Sequence, residues 1–80
     1  MNLTPAQSRA ARGLLGMTQA ELAKKSGVSV RTIAHFESDE RQPVPATLDA
    51  LQRAFKAAGV VFISENGGGP GVRLKRKTKR

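Results

Sequence analysis

Two helices joined by a very short turn are the strongest constraint that this sequence places on its fold. Thr18 precedes the segment QAELAKKS, and Glu21 stands three residues after it, which is the Thr-x-x-Glu spacing of a capping box. Ala23 is small enough to let a second helix approach closely. Gly27 stands where the first helix must end, at a position that favours a positive φ. The sequence therefore predicts a helix that begins after Thr18 and a tight turn at Gly27.

The second helix of the pair is predicted from its own cap and apolar stripe. Ser29 is an N-cap residue, and Ile33 and Phe36 recur at i and i+3, so they bury one face of this helix. A pair of this kind can place its second helix in the DNA major groove, where base edges present donors, acceptors and the thymine methyl group. The alternative is a helical hairpin of a small bundle with a solvated outer face. The outward residues, our candidates for reading bases, are Val30, Arg31, Thr32, Ala34 and His35.

Arg31 is the strongest candidate of this set. Its planar guanidinium can bond O6 and N7 of guanine together, a contact worth roughly 1 to 3 kcal/mol of discrimination. Val30 and Ala34 offer only apolar contact to a thymine methyl group. His35 is the single histidine of the chain. A lone histidine on an outward helix face is more typical of a surface or DNA-contacting residue than of a metal ligand or a catalytic base.

The stretch MTQAELAKKSGVSVRTIAHFES, followed by a charged turn and RQP, resembles the Cro and phage-repressor-like (XRE-type) helix-turn-helix proteins over roughly residues 8–58. The resemblance implies a mainly α, compact, lambda-repressor-like domain of four to five helices. It also implies an ion pair between Arg12 and Glu37, although the residues alone did not favour Arg12 over Arg9. The sequence departs from the family pattern at Asp39, where glycine usually ends the recognition helix, and at Glu40, where a basic residue often meets phosphate.

The same resemblance implies contacts with the DNA backbone. The glutamine that opens the first motif helix of the family, here Gln19, is similar to a phosphate clamp. The family residues that match Val30, Arg31, Thr32 and His35 face bases or backbone. We expect phosphate contacts from Thr18, Gln19, Ser29, Ser38 and Arg41.

Further helices are predicted on both sides of the motif. Thr4, Pro5 and Gln7 are typical of the N-cap, N1 and N3 positions of an opening helix, which we expect to run to about Leu14 and to stop at Gly16. The last helix is predicted to begin at Pro45, to bury Leu48, Leu51 and Phe55, and to end at Gly59.

Residues 60–75 are predicted to form two short strands. The run VVFI is β-branched or aromatic, ENGGGPG supplies turn residues, and VRL alternates apolar with charged side chains. The strands can close as a hairpin within one chain or pair with a second subunit; a strand folded back on its own helices and a disordered tail beyond Ser64 are further alternatives. Because an isolated hairpin is marginal and an exposed apolar edge invites pairing, we expect a homodimer built on these strands. The expected dimerisation residues are Val60, Val61, Phe62, Ile63, Val72 and Leu74.

The formal charge of +8 is concentrated at the end of the chain. The run RLKRKTKR holds six of the fourteen lysines and arginines, which leaves +2 for residues 1–72. Such a run is too charged to pack and would attract phosphates without reading sequence. The alternative is a solvated, solubilising tail. We therefore divide the chain into a helix-turn-helix DNA-binding domain (1–59), a strand extension that dimerises (60–75) and a basic tail (76–80).

Composition argues against several other classes of protein. The chain has no cysteine, hence no disulfide and no thiolate metal site. It contains no apolar run near the ~20 residues that a membrane helix requires, so we expect a cytoplasmic, nucleoid-associated protein with no membrane partner. One histidine, no paired carboxylates in an apolar cleft and only 80 residues argue against an enzyme, a metal site or a cofactor.

These observations together predict a transcriptional regulator that binds double-stranded DNA. One recognition helix contacts too few base pairs for useful specificity, whereas two helices about 34 to 36 Å apart read inverted half-sites in successive major grooves. We expect a homodimer that acts as a repressor or autorepressor on a palindromic operator. The alternative, from a different class, is an antitoxin or anti-regulator whose C-terminal strands bind a protein partner.

Overall fold

The computed structural model describes residues 3–64 and 67–75 of the chain. Within these described residues, four helices precede one two-stranded antiparallel sheet. This mainly α architecture confirms the predicted fold class. The elements are α1 (Pro5–Leu15), α2 (Gln19–Ser26), α3 (Val30–Glu37), α4 (Pro45–Ala57), β1 (Val60–Ile63) and β2 (Gly71–Leu74).

Side-chain caps begin the first three helices at the residues that the sequence indicated. At α1, Thr4 Oγ1 accepts from the Gln7 backbone N–H at 3.0 Å, and Gln7 Oε1 accepts from the Thr4 N–H at 3.1 Å. The same reciprocal box joins Thr18 and Glu21 at α2, at 3.0 and 2.8 Å. At α3, Ser29 Oγ accepts the backbone N–H three residues on, at 3.1 Å. Local sequence thus defines where each of these helices starts.

The turn between α2 and α3 depends on the left-handed backbone of Gly27. Its φ is 78°, and its N–H donates to the carbonyl oxygen of Ala23 at 2.9 Å, which closes the last turn of α2. A Cβ atom at this position would meet nothing within 4 Å. Glycine is therefore required by backbone conformation rather than by space. Two residues later Ser29 already caps α3, so the turn brings α3 directly across α2.

In the described part of the chain, an apolar core joins the helices to the hairpin. The rings of Phe55 in α4 and Phe62 in β1 lie 6.1 Å apart at an interplanar angle of 67°, an edge-to-face contact. Leu15, Met17, Ala23 and other partly buried apolar residues pack around the fully buried set. The buried apolar core residues are Leu3, Ala11, Leu22, Ile33, Phe36, Leu48, Leu51, Phe55 and Val60.

The two strands pair with each other within one chain, which is one of the alternatives that the sequence left open. β1 packs against α4 and β2 against α1. Because side chains alternate across a strand, one face of the hairpin points to the helices and the other points away. The register is Val60↔Leu74, Val61↔Arg73, Phe62↔Val72 and Ile63↔Gly71.

Several of the expected dimerisation residues pack into the core of their own chain. Val60 is 3% exposed, and Phe62 and Val72 pack against the core cluster. Val61 and Ile63 lie on the opposite face, as alternation requires, and are half-buried. An interface with a second subunit through these strands stays a prediction.

The last predicted segment falls at the limit of the described chain. The basic tail, residues 76–80, lies outside the described residues. Arg73 and Lys75, which begin the basic run, are described and exposed.

Within residues 3–64 and 67–75, no helix has the length and apolar character needed to cross a membrane.

Candidate nucleic-acid interface

Helix α3 has one buried face and one open face. Ile33 and Phe36 are completely buried, whereas 43% of Val30 is exposed and Arg31 is exposed as well. The other three candidate base-reading residues, Thr32, Ala34 and His35, are half-buried. Because the first turn of α3 carries the most accessible side chains, this turn is the part of the helix that can enter a groove.

A shallow depression on the open face collects several of the predicted DNA-contacting residues. It has a volume of about 260 Å³ and is lined by Arg31, Thr32, His35, Arg41 and Pro43. The structure thus brings Arg41, expected at phosphate, beside residues expected at bases. Two guanidinium groups and an imidazole at one depression suit an anionic or acceptor-rich ligand such as a phosphate or a base edge.

Glu40 approaches this surface from the turn after α3. Its Oε1 lies 3.7 Å from Nε2 of His35, an ion pair only when the imidazole is protonated. Glu40 is 64% exposed, so water screens its charge. A carboxylate here matches the departure from the family pattern noted in the sequence, and it makes this point unfavourable for a DNA phosphate.

The end of α3 has the hydrogen bonds of a Schellman motif without a glycine. Asp39 adopts φ 65°, and its N–H donates to the Phe36 carbonyl at 3.0 Å. The N–H of Glu40 donates to the His35 carbonyl at 2.9 Å. Aspartate tolerates the left-handed conformation better than most residues, so the helix can stop here with its last carbonyls satisfied. The turn then carries the chain to Arg41 at the depression.

The carboxylate of Glu37 connects α3 to α1 and α2. Arg12 donates to it from Nε, at 2.9 and 3.1 Å to its two oxygens, and from Nη2 at 2.6 Å. Ser8 Oγ donates at 2.5 Å and Gln19 Nε2 at 3.1 Å. Arg9 instead donates to the backbone carbonyl of Glu37. Three helices therefore meet at one side chain that is only 3% exposed, and α3 is held in place from its last turn.

These contacts determine the protonation states of Arg12 and Glu37. Burial by itself raises the pKa of Glu37, but hydrogen bonds from Arg12, Ser8 and Gln19 lower it, and the net result is a pKa below the usual value. The hydrogen bond to Glu37 raises the pKa of Arg12 above its usual value. The pair is thus charged at neutral pH, and every hydrogen bond around it is charge-assisted.

The expected phosphate-contacting residues lie at helix ends and in the turn after α3. Gln19 is the first residue of α2, and its amide is oriented by Glu37. Thr18 and Ser29 use their oxygens as N-cap acceptors, while Ser38 Oγ donates to the His35 carbonyl at 3.2 Å. Helix N-termini attract phosphate through their unpaired N–H groups and dipole. Thr18, Ser29, Ser38 and Arg41 are exposed, and Gln19 is half-buried.

Sequence reasoning missed the role of Ser8. It is completely buried, and it contributes a hydroxyl to the Glu37 carboxylate. One signal was available: Ser8 and Arg12 are four residues apart on α1, so they lie on the same helix face and can reach the same group. The share of the Gln19 amide in this site carried no such local signal, because Gln19 and Glu37 are on different helices.

The capped α2–α3 pair, its buried side and its open first turn define a helix-turn-helix DNA-binding domain. A family model described as Helix-turn-helix matches residues 9–58, well over half of the chain, and the protein therefore belongs to this family. Membership makes it a DNA-binding transcriptional regulator, in a family of regulators rather than of enzymes. No curated protein matches the chain.

Proposed function

We propose that this protein is a repressor that binds a palindromic operator as a homodimer and controls its own operon. The observation that carries the proposal is the open face of α3. Its exposed first turn, Val30 and Arg31, continues into a depression that also holds His35 and Arg41. A helix whose other side is buried and whose last turn is held to α1 and α2 through Glu37 is rigid enough to read base edges with precision.

Within this proposal the residues of α3 divide the reading of bases. Arg31 bonds guanine in the major groove, and His35, one turn further on, contacts a neighbouring base edge or the backbone. Val30 and Ala34 contact thymine methyl groups, and Thr32 donates or accepts at the rim. This division is supported by exposure, since Val30 and Arg31 are the most open of the five.

The phosphate contacts position α3 in the groove. Gln19 has two amide hydrogens, one of which binds Glu37 at 3.1 Å. The amide is therefore held in one orientation at the N-terminus of α2, and its second hydrogen can reach a phosphate oxygen there. Thr18, Ser29, Ser38 and Arg41 add backbone contacts around the same groove. These contacts set the register of the protein on the duplex and read no sequence.

Two copies of α3 provide the specificity that one copy lacks. In a symmetric dimer the two helices occupy successive major grooves, about 34 to 36 Å apart, and their target is an inverted repeat. An operator of this kind that overlaps a promoter excludes polymerase when it is occupied. Repression by occlusion then needs no further domain.

Selection of random duplex DNA by the full-length protein tests the proposal. We expect the enriched sequences to form an inverted repeat with half-sites about one helical turn apart. A reporter driven by the protein's own promoter should carry this repeat, and its expression should fall when the protein is supplied. Enrichment of a single, non-repeated site would refute the homodimer, and the absence of any enriched sequence would refute specific recognition.

A further inference from the structure

The two edges of the β-hairpin differ in their chemistry. The four side chains of β1, Val60 to Ile63, are all apolar. β2 carries Arg73, is preceded by Pro70 and is followed by Lys75. Natural sheets protect exposed edges with charged residues, especially lysine, and with proline, because an unprotected edge pairs with another strand. β2 has this protection within its own sequence, whereas β1 contains no charged residue and no proline; Lys56 and Lys75 line a depression beside it.

The alternation of hydrogen-bonded and non-hydrogen-bonded pairs in the ladder shows which backbone groups β1 presents at its outer edge. The Lys75 N–H donates to the Gly59 carbonyl at 2.6 Å, so these two residues form a hydrogen-bonded pair that extends the ladder. Pairs in an antiparallel ladder alternate, and the N–H and C=O groups of Val60 and Phe62 therefore turn away from β2. Within residues 3–64 and 67–75, no cap, turn or side chain hydrogen-bonds these groups.

We infer that the β1 edge pairs with the β1 edge of a second copy of this chain, which creates a continuous four-stranded antiparallel sheet. This inference rests on the proposed homodimer and specifies where its two subunits join. In the symmetric register, Val60 of one copy pairs with Phe62 of the other, and the two Val61 residues face each other across the two-fold axis. Four backbone hydrogen bonds close the ladder, and only apolar side chains oppose one another.

Two observations favour β1 over β2 as the edge that meets a second copy. Joining β2 edges in the equivalent way would place Arg73 directly opposite itself, and like charges in that position are destabilising. In the β1 register, Ile63 of one copy instead lies opposite Gly59 of the other, and a Cβ atom added at Gly59 would meet nothing within 4 Å in its own chain. Ile63 already covers Gly71 in its own chain, with 3.8 Å from its Cδ1 to the position of a Cβ atom there. In the proposed dimer, Ile63 would therefore lie between two glycines, Gly71 of its own chain and Gly59 of the second copy.

Because the chain has no cysteine, one introduced cysteine can form a disulfide only between two chains. We would prepare Val61→Cys and, as the matched control, Arg73→Cys, which lies directly opposite on the same face of the hairpin. Across the two-fold axis the two Cα atoms at position 61 would be about 4.5 Å apart, within disulfide range. Those at position 73 would be three strand spacings apart, roughly 14 Å, too far for a disulfide.

In a glutathione redox buffer, Val61→Cys should become a covalent dimer and Arg73→Cys should stay uncrosslinked. Cross-linking of Arg73→Cys alone would place the interface on β2, and equal cross-linking of both would indicate random collision; either result overturns the inference. If neither variant cross-links although the wild-type protein sediments as a dimer, the edge is wrong but the homodimer stands. A wild-type protein that sediments as a monomer while bound to its operator would refute both.

Hydrogen exchange tests the inference on the wild-type chain, without any substitution. The amides of Val60 and Phe62 should be protected at concentrations where the dimer forms and should exchange faster on dilution. The amides of Val72 and Leu74, on the β2 edge, should show no such dependence on concentration. Concentration-dependent protection of the β2 amides alone would overturn the inference.

Like charges introduced at the proposed interface allow its contribution to dimer affinity to be measured. Val61→Lys places two ammonium groups across the two-fold axis and should raise the dimer dissociation constant about tenfold or more. Val44→Lys makes the same substitution at a position that is 63% exposed at the start of α4, and it should leave the dissociation constant unchanged. A dimer that withstands Val61→Lys would exclude the β1 edge.

Discussion

The side-chain amide of Gln7 hydrogen-bonds the carbonyl oxygen of Gly71 at 3.0 Å, across 64 residues of sequence. The same Nε2 lies 3.5 Å from the carbonyl oxygen of Ile63, the residue paired with Gly71. Its Oε1 meanwhile completes the capping box at Thr4. One buried side chain, 3% exposed, thus caps α1 and anchors the end of the hairpin. The strands are held to the helical domain by a polar contact as well as by the apolar contacts of Phe62 and Val72.

Gln7→Ala should destabilise the protein by about 1 to 3 kcal/mol, because it leaves the partly buried acceptor at Gly71 and the Thr4 N–H without this partner. Urea unfolding measures the loss, and Gln42→Ala, at an exposed position, is the control, with an expected effect within about 0.5 kcal/mol. Exchange of the β2 amides should quicken more than that of α3. Equal quickening everywhere would show that Gln7 contributes only to global stability and does not anchor the hairpin.

Glu37→Gln should destabilise the fold by about 3 kcal/mol at neutral pH, since it leaves the Arg12 charge without a carboxylate. The pKa of Glu37 is lowered in the folded state, so its stabilisation is present above the unfolded value of about 4.3 and is lost as pH falls through the lower folded pKa. The difference between variant and wild type should shrink in that acid range. A difference constant from pH 7 to pH 3 would contradict this account; Glu40→Gln, exposed, is the control.

Arg31→Ala should relax base preference at one position in each half-site and cost roughly 1 to 3 kcal/mol on the best operator. Folding should be nearly unchanged, because Arg31 is exposed. Binding to selected and random duplexes, compared at one salt concentration, measures both effects. Arg53→Ala, which removes an exposed arginine paired with Asp49 on α4, should leave base preference intact. Equal weakening of Arg31→Ala on both kinds of DNA would assign Arg31 to the backbone.

Ala23→Leu should destabilise the protein by roughly 1 to 3 kcal/mol, because Ala23 packs against the core where α2 crosses α3. Thermal unfolding gives the comparison. Ala20→Leu makes the same change on the exposed side of α2 and should have little effect. An unaltered melting temperature for Ala23→Leu would mean that the two helices do not need this close approach.

Truncation after Lys75 removes four basic residues and should flatten the dependence of DNA affinity on salt. Each phosphate contact that is lost reduces the slope of log K against log salt by about 0.9. Affinity measured between low and physiological salt, for full-length and truncated chains on one operator, gives the two slopes. Identical slopes would show that the tail is a solvated appendage. The truncated chain should keep the base preference of the full-length chain, because phosphate contacts read no sequence.

Local sequence determined the parts of this protein that depend on neighbours within one or two helical turns. The caps at Thr4, Thr18 and Ser29 and the turn at Gly27 follow from residues no more than four positions apart. So do the buried stripe of α3 and the outward placement of Arg31. Such features obey helix periodicity and capping chemistry, which a sequence states directly.

Tertiary structure decided which distant groups meet, and of these contacts only the ion pair between Arg12 and Glu37 was implied beforehand, by the family resemblance. Gln7 reaches Gly71, and Ser8, Arg12 and Gln19 converge on Glu37, over separations of 18 to 64 residues. The sequence predicted two strands but left open whether they pair within one chain, and the structure has them as a hairpin packed on α1 and α4. Helix and strand propensities say nothing of how whole elements are oriented. That orientation comes from burying one shared core, and it determines which polar groups lie within hydrogen-bonding distance.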